Sequence, residues 1–276
     1  MKISVITPSF ERESVLASSV MSSIEFMENI PLENRGDIVV VDDCSSVSVQ
    51  KVLEEAKLGV HIGKLITLIT LKNNIGVTGA KQAGANRAQG DWLIFMDSDD
   101  TFISGIAESL LAELSGAKLN IPIVFFRCRD VRTRTLLGEI KSTSEEVGLK
   151  EFLIKGTPGE CLPAIRRRAI LEIPYNESLR GFEGLTHAKI IRQYGQCLIS
   201  KLEARWYDSS EDGDRLSSTS GLMKRGCNLA RGHALTINAF YKELPYSSIF
   251  LVSLKIIKNG FSCLKYKLCG WFREIL

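Results

Sequence analysis

Three carboxylates fall within four consecutive positions, Asp97-Ser98-Asp99-Asp100, directly after the apolar run Trp92-Leu93-Ile94-Phe95-Met96. Carboxylates this close repel one another, and the repulsion grows where water is excluded. A divalent cation offsets it. Carboxylate oxygens are hard ligands suited to Mg²⁺ or Mn²⁺. Such an ion can hold a diphosphate and neutralise its charge as it leaves. The plainer reading is a solvated acidic turn in which Asp100 caps a helix starting near Phe102. The strand-end position of the cluster, beside other polar strand ends, favours the metal.

A second candidate is Val39-Val40-Val41-Asp42-Asp43-Cys44-Ser45-Ser46. A carboxylate at a strand end can accept hydrogen bonds from a nucleobase or a ribose, as in dinucleotide folds. The same residues also suit an Asx turn before a helix. Third comes Asn73-Asn74-Ile75-Gly76, leading to Lys81. A glycine lets backbone approach a ligand, and a helix start beside a lysine suits phosphate. The pattern is not GxGxxG, and no acidic residue follows at the dinucleotide spacing, which argues against NAD.

The elements that must position these groups alternate along the first half. Ile3–Thr7, Ile38–Val41, Leu65–Leu71 and Trp92–Met96 read as strands. Helical patterns over Val15–Met27, Val52–Leu58 and Gly76–Ala88 separate them. Strands without in/out polarity, separated by helices, indicate an α/β fold with a mostly parallel sheet covered on both faces. Ligands in such folds bind outside the carboxyl ends of the strands. The polar groups cluster at those ends. The second half is less regular: a strand over Ile121–Arg127 enters an Arg-rich hairpin, a helix covers Leu185–Tyr194, a strand lies near Cys197–Leu202, and a long helix over Ser217–Lys242 is capped by Ser217 or Ser218.

Composition sets the outer limits. The chain has 276 residues, 45% hydrophobic and 24% charged, which excludes disordered and fibrous classes. Its length is long enough for one large α/β unit or two domains. A net charge of +3 is too balanced for a nucleic-acid binder, so no nucleic-acid partner is expected. Seven cysteines without a CxxC argue against a zinc ribbon. With no signal peptide visible, reduced thiols in the cytoplasm are expected.

Taken together, these residues resemble the family-2, GT-A-type glycosyltransferases. The matching pieces are Val5-Ile6-Thr7-Pro8-Ser9-Phe10-Glu11-Arg12, Val40-Val41-Asp42-Asp43-Cys44-Ser45, Asn74-Ile75-Gly76 with Ala80-Lys81, and Ala88 to Asp100. They cover about the first hundred residues in the family's order. The resemblance implies a GT-A fold, a nucleotide-sugar donor, Mn²⁺ or Mg²⁺, and inversion at the anomeric carbon. Carried over, Pro8 and Phe10 line the nucleobase pocket and Asp43 bonds the base. Lys81, where the family often has Arg, faces the base or diphosphate. Asp97 lies near the ribose and metal, and Asp99 is the principal metal contact. Phe10-Glu11 stands where the family usually has Tyr-Asn, which keeps the stacking ring and loses an amide.

The family's catalytic base usually belongs to a Glu-Asp pair opening a helix. The match here is Phe182-Glu183-Gly184-Leu185, with Gly184 in place of Asp. Glu183 is the expected base and takes the proton of the attacking acceptor hydroxyl. His187 is a backup, and a helix N-terminal acid is the plain alternative for Glu183. Asp212-Gly213-Asp214-Arg215 resembles a late family segment that closes over the phosphates, with Arg215 on the diphosphate.

From Cys227 onward the chain holds seven basic and two acidic residues. From Tyr246, apolar residues interleave with Lys255, Lys258, Lys265, Lys267 and Arg273. No stretch of ~20 apolar residues lacks charge, so a bilayer span is not expected. An interfacial helix on an anionic membrane is expected instead, against a packed helix with a lysine-rich outer face. The expected organisation is a nucleotide-sugar-binding half over residues 1–118, an acceptor-binding half over 119–216, and a basic helical extension over 217–276. The expected function is transfer of a sugar, with a uridine diphosphate sugar as donor, to a hydroxyl of a lipid-linked or oligosaccharide acceptor in bacterial surface-polysaccharide assembly. The expected location is cytoplasmic, peripheral on the inner face of the membrane. The rivals are a nucleotidyltransferase and a catalytically inactive sugar-nucleotide or membrane-binding module.

Overall fold

A computed structural model describes residues 1–140, 142–208 and 226–275, with side chains through residue 264. The calls on Arg215, Ser217 and Ser218 lie outside the described residues.

The first half is built of β1 (Ile3–Ser9), α1 (Glu13–Glu28), β2 (Arg35–Asp42), α2 (Val49–Glu55), β3 (Ile66–Thr70), α3 (Val77–Arg87), β4 (Trp92–Phe95), β5 (Thr101–Phe102) and α4 (Ala107–Gly116). The second half has β6 (Ile123–Asp130), β7 (Glu145–Gly148), α5 (Leu149–Lys155), β8 (Cys161–Arg166), α6 (Arg167–Glu172), α7 (Gly184–Tyr194) and β9 (Gln196–Tyr207). Two helices close the described chain, α8 (Gly226–Phe240) and α9 (Tyr246–Ile275).

One nine-stranded sheet runs through both halves, in the order β3-β2-β1-β4-β8-β6-β9-β5, with β7 also on β9. The β3-β2-β1-β4 block is parallel. Beyond it the pairings β4–β8, β6–β8, β5–β9 and β7–β9 are antiparallel, and β6–β9 is parallel. The expected α/β architecture is present, and the antiparallel strands belong to the half whose sequence alternates least clearly.

Successive strand residues point to opposite faces, and both faces here are covered. Ile38 and Val40 pack with Ile3, Val5 and Ile94 under α1. Val39 and Val41 pack with Ile6 and Phe95 under α3 and α7. This double burial explains the unbroken β-branched runs. The carboxyl ends of β1, β2 and β4 meet at one edge: Ser9 pairs with Asp42, Asp43 N–H donates to the Ser9 carbonyl, and Met96 N–H donates to the Ile6 carbonyl. The segment after Asp100 is not the helix of the plainer reading. Thr101–Phe102 pairs with Trp206 and Arg205 of β9, and the helix starts only at Ala107. Asp100 is therefore not a helix cap.

The α8–α9 hairpin brings two further corrections. Cys227 and Cys263 form a disulfide, with Cα atoms 5.0 Å apart, so the expectation of seven reduced thiols fails for this pair. Two helices packed side by side place the cysteines together across 36 residues, a separation no local motif announces. In addition, Tyr246–Leu264 is long and apolar enough, by length and composition, to cross a bilayer, with a mean hydropathy of 1.2. Lys255 and Lys258 are its only charges, too few to exclude a span on composition. None of that stretch is buried.

Candidate active site

The site gathers at the edge where β1, β2 and β4 end. Pro8 is buried within β1, in register with Val41, and Phe10 emerges from the strand end 45% exposed. Phe10 thus offers an open ring face, while Pro8 supports the strand beneath it. Glu11 follows with φ 51°, a left-handed conformation rare for a non-glycine residue. Its carboxylate accepts from the Ser46 N–H at 2.7 Å and the Ser46 hydroxyl at 2.8 Å. These bonds hold its carboxyl below the ordinary range. In place of an amide, position 11 carries a tie between the β1 and β2 loops.

Asp43 is buried at the end of β2. Its two oxygens accept from the Ile75 and Gly76 N–H groups, each at 2.8 Å. Burial raises its pKa, outweighing those two bonds and the nearby Arg180. Each carboxylate oxygen keeps a second lone pair, so Asp43 can still accept from a base N–H. Gly76 sits at φ 83°, and a Cβ there would fall 2.6 Å from the Arg180 side chain. Arg180, which donates to the Asn74 carbonyl at 2.8 Å, thereby lies across the Asn74–Gly76 loop from the second half of the chain. Its role was not legible in sequence, because no motif surrounds it.

Lys81 is the hinge of the arrangement. It projects from α3 and is almost fully buried. Its ammonium lies 3.1 Å from Asp97 Oδ1 and 3.1 Å from Glu183 Oε1. Lys81 was expected to face the base or diphosphate; in the structure its partners are the two carboxylates. Burial opposes its charge, but Asp97 and Glu183 outweigh burial and raise its pKa.

Asp97 also faces Arg205 from β9, at 3.5 Å, and Arg205 reaches Asp100 at 3.0 Å. Burial would raise the Asp97 pKa; Lys81 and Arg205 overcome it and hold the carboxyl low. The β5–β9 pairing brings Arg205 to the acidic turn. Sequence reasoning missed Arg205, which lies mid-strand with no flanking signature.

Glu183 precedes α7 in helical backbone geometry and makes no cap hydrogen bond to it. Its side chain turns to Lys81 instead. Burial pushes its pKa up, the Lys81 ammonium pulls it down, and the net direction is down. Glu183 is therefore ionised at neutral pH, the form a base needs. A Cβ on Gly184 would meet nothing within 4 Å, so the absent second carboxylate is not a steric requirement. His187 is no partly exposed helix residue. It is buried, hydrogen-bonded to the Tyr175 hydroxyl at 3.1 Å and edge-on to Phe125. Burial pushes its pKa down to about 4. It is packed as a neutral core residue, away from the role of a backup base.

Among the described residues, no three His, Cys, Asp or Glu side chains converge to hold a metal by themselves. The donor set still fits a divalent ion of the Mg²⁺ type, which takes one or two carboxylates and completes its shell with substrate phosphate and water. Asp97 and Asp99, both partly exposed at the strand end, would supply them. Both Asp97 oxygens already face cations, Lys81 and Arg205. Phe10, Asp43 and Asp97 follow the ends of β1, β2 and β4, Lys81 lies within α3, and Glu183 precedes α7.

A family model described as glycosyl transferase family 2 matches residues 4–172. The chain is 25% identical over 196 residues to the GalNAc(5)-diNAcBac-PP-undecaprenol beta-1,3-glucosyltransferase of Campylobacter jejuni, covering 70% of this chain and 60% of that protein. Its fold is similar to that of Staphylococcus aureus TarS 1–349 in complex with UDP-GlcNAc, with a TM-score of 0.68 at 19% identity over 95% of this chain and 73% of the other. It is also similar to the mannosyltransferase PcManGT of Pyrobaculum calidifontis in complex with GDP-Man and Mn²⁺, with a TM-score of 0.64 at 12% identity over 95% and 73%.

Proposed function

Because the chain belongs to glycosyl transferase family 2, we propose that it moves a sugar from a uridine diphosphate donor to a hydroxyl of a lipid-diphosphate-linked glycan, with inversion. The observation that carries this reading is the Asp97–Lys81–Glu183 bridge, which puts an ionised base carboxylate next to the acidic turn. The Campylobacter jejuni relative, named for a PP-undecaprenol substrate, supports the acceptor class. The UDP-GlcNAc complex of TarS supports the donor class.

Phe10 stacks on the base, and Asp43 accepts its N–H. Asp99, with Asp97 beside it, would hold a divalent ion, which would neutralise charge on the departing diphosphate. Lys81 adds a fixed positive charge on the same side. Glu183 takes the proton of the acceptor hydroxyl as that oxygen bonds the anomeric carbon, while the carbon–diphosphate bond breaks with its electron pair on the leaving oxygen. Attack on the face opposite the leaving group inverts the centre.

The nucleotidyltransferase alternative loses support, since the site has no Gly-rich loop at residues 7–12. Thermal shift against a panel of nucleotide sugars, with and without Mn²⁺, tests the proposal. A metal-dependent rise with uridine diphosphate sugars supports it, and no rise with any nucleotide sugar contradicts it.

A further inference from the structure

The outer face of α9 is apolar and has no partner among the described residues. Tyr246, Phe250, Leu254, Ile257, Phe261 and Leu264 are 91%, 65%, 46%, 55%, 69% and 55% exposed. At ~100° per residue these six fall within an arc of about 80°. The opposite arc, carrying Ile249, Val252, Ile256, Asn259 and Cys263, is half-buried against α8. The packed-helix alternative predicted a lysine-rich outer face. Instead the outer face is a ridge of aromatic and aliphatic side chains, and the exposed Lys255 and Lys258 lie along one flank of it.

The orientation of this face is fixed. The Cys227–Cys263 disulfide ties α9 to α8. At Gly226 a Cβ would meet the Asn259 carbonyl oxygen and the Cys263 nitrogen at 2.8 Å, so the helices touch closely there. Phe240, Leu244 and Ile249 root the hairpin in the core. The apolar ridge cannot turn inward without breaking these contacts. Six large apolar side chains on one stripe exceed the scattered exposure normal for a soluble surface.

We propose that this ridge is a membrane-docking surface that lies in the interface of an anionic bilayer. Apolar side chains enter the acyl boundary, and the flanking lysines meet lipid phosphate. Charge complementarity selects this occupant over a second copy of the chain. Lys255 and Lys258 flank the ridge, no acidic residue lies between Tyr246 and Leu264, and two such surfaces would repel each other. The placement also has a use. The α8 backbone at Gly232 lies against the Phe182 ring, with His233 edge-on to it at 5.2 Å between centroids. Phe182 immediately precedes Glu183, so the hairpin joins the bilayer face to the acceptor end of the site. The docking surface stands independently of the proposed transfer, since vesicle binding reads neither donor nor base.

Co-sedimentation of the full chain with phosphatidylcholine vesicles, with and without 30% phosphatidylglycerol, tests the proposal. Binding to the anionic vesicles is expected, reduced at high salt and at least about tenfold weaker on neutral ones. Phe250→Ser with Phe261→Ser should abolish binding while the donor-induced thermal shift stays, which shows the variant folded. Lys255→Glu with Lys258→Glu should remove the preference for anionic lipid. Three results overturn the proposal: no sedimentation of the full chain with anionic vesicles; a dimer in vesicle-free buffer that the double serine variant dissolves; or bound protein that resists salt and carbonate and is cut by protease on both sides of the bilayer, which makes α9 a span.

Discussion

The Lys81 ammonium lies 3.1 Å from Oε1 of Glu183, a residue 102 positions further along the chain. This contact joins α3 of the first half of the chain to the start of α7 in the second. With Asp97 on the other side of the ammonium at the same distance, two carboxylates share one buried cation.

Removing that cation leaves Glu183 without its ion-pair partner and Asp97 with only the more distant Arg205 at 3.5 Å. Asp97 and Glu183 keep some exposure, 37% and 21%, so the cost falls below that of a fully buried pair. Lys81→Met should destabilise the fold by roughly 2 kcal/mol. Lys81→Arg should recover most of that loss. Urea unfolding at pH 7 reads the difference, and equal midpoints for wild type and Lys81→Met would show that the bridge contributes nothing.

The acidic turn predicts a metal requirement. Asp99→Ala should abolish sugar transfer, a loss of at least about a hundredfold. Chelator should silence the wild type, and added Mn²⁺ or Mg²⁺ should restore it. Full activity of the wild type in excess chelator runs against the assignment of Asp97 and Asp99.

His187 predicts a pH dependence of stability. Its folded pKa is pushed down to about 4 by burial, with Glu183 and Lys81 acting in opposite directions on it. The unfolded imidazole protonates near 6.5. As pH falls from about 6.5 towards 4, the unfolded chain gains a proton that the folded chain does not take. Stability is therefore complete above that window and is lost through it, by at most about 3 kcal/mol. His187→Gln should flatten the dependence between pH 6.5 and 5. Equal slopes for variant and wild type would assign the loss to other groups.

The parts of this site that sequence made legible are those carried by short, local patterns. The runs Ile38–Val41 and Trp92–Phe95 are apolar throughout because both sheet faces are covered, and their polar ends mark where the edge opens. Asp43, Asp97 and Asp99 follow from that alone. Contacts closed by the sheet's second half were not legible. Arg205 reaches Asp100 because β9 pairs with Thr101–Phe102, a long-range pairing that no local pattern announces. Arg180 meets Gly76 across more than a hundred residues, with no spacing to announce it. His187 is neutral and buried because Phe125 and Tyr175 surround it, which a helical spacing cannot reveal. The tail's alternation of apolar and basic residues was visible. Which arc of α9 faces outward was not, because that depends on the Cys227–Cys263 bond and on the close approach at Gly226.

The most direct measurement is uridine diphosphate release from a uridine diphosphate sugar and a lipid-diphosphate-linked acceptor, comparing wild type with Glu183→Gln. The amide keeps the shape of the side chain and cannot take a proton. The account predicts that Glu183→Gln retains the donor-induced thermal shift and loses kcat by roughly 10²–10⁴-fold, the usual worth of general base catalysis. Turnover by Glu183→Gln within a few-fold of wild type would contradict it.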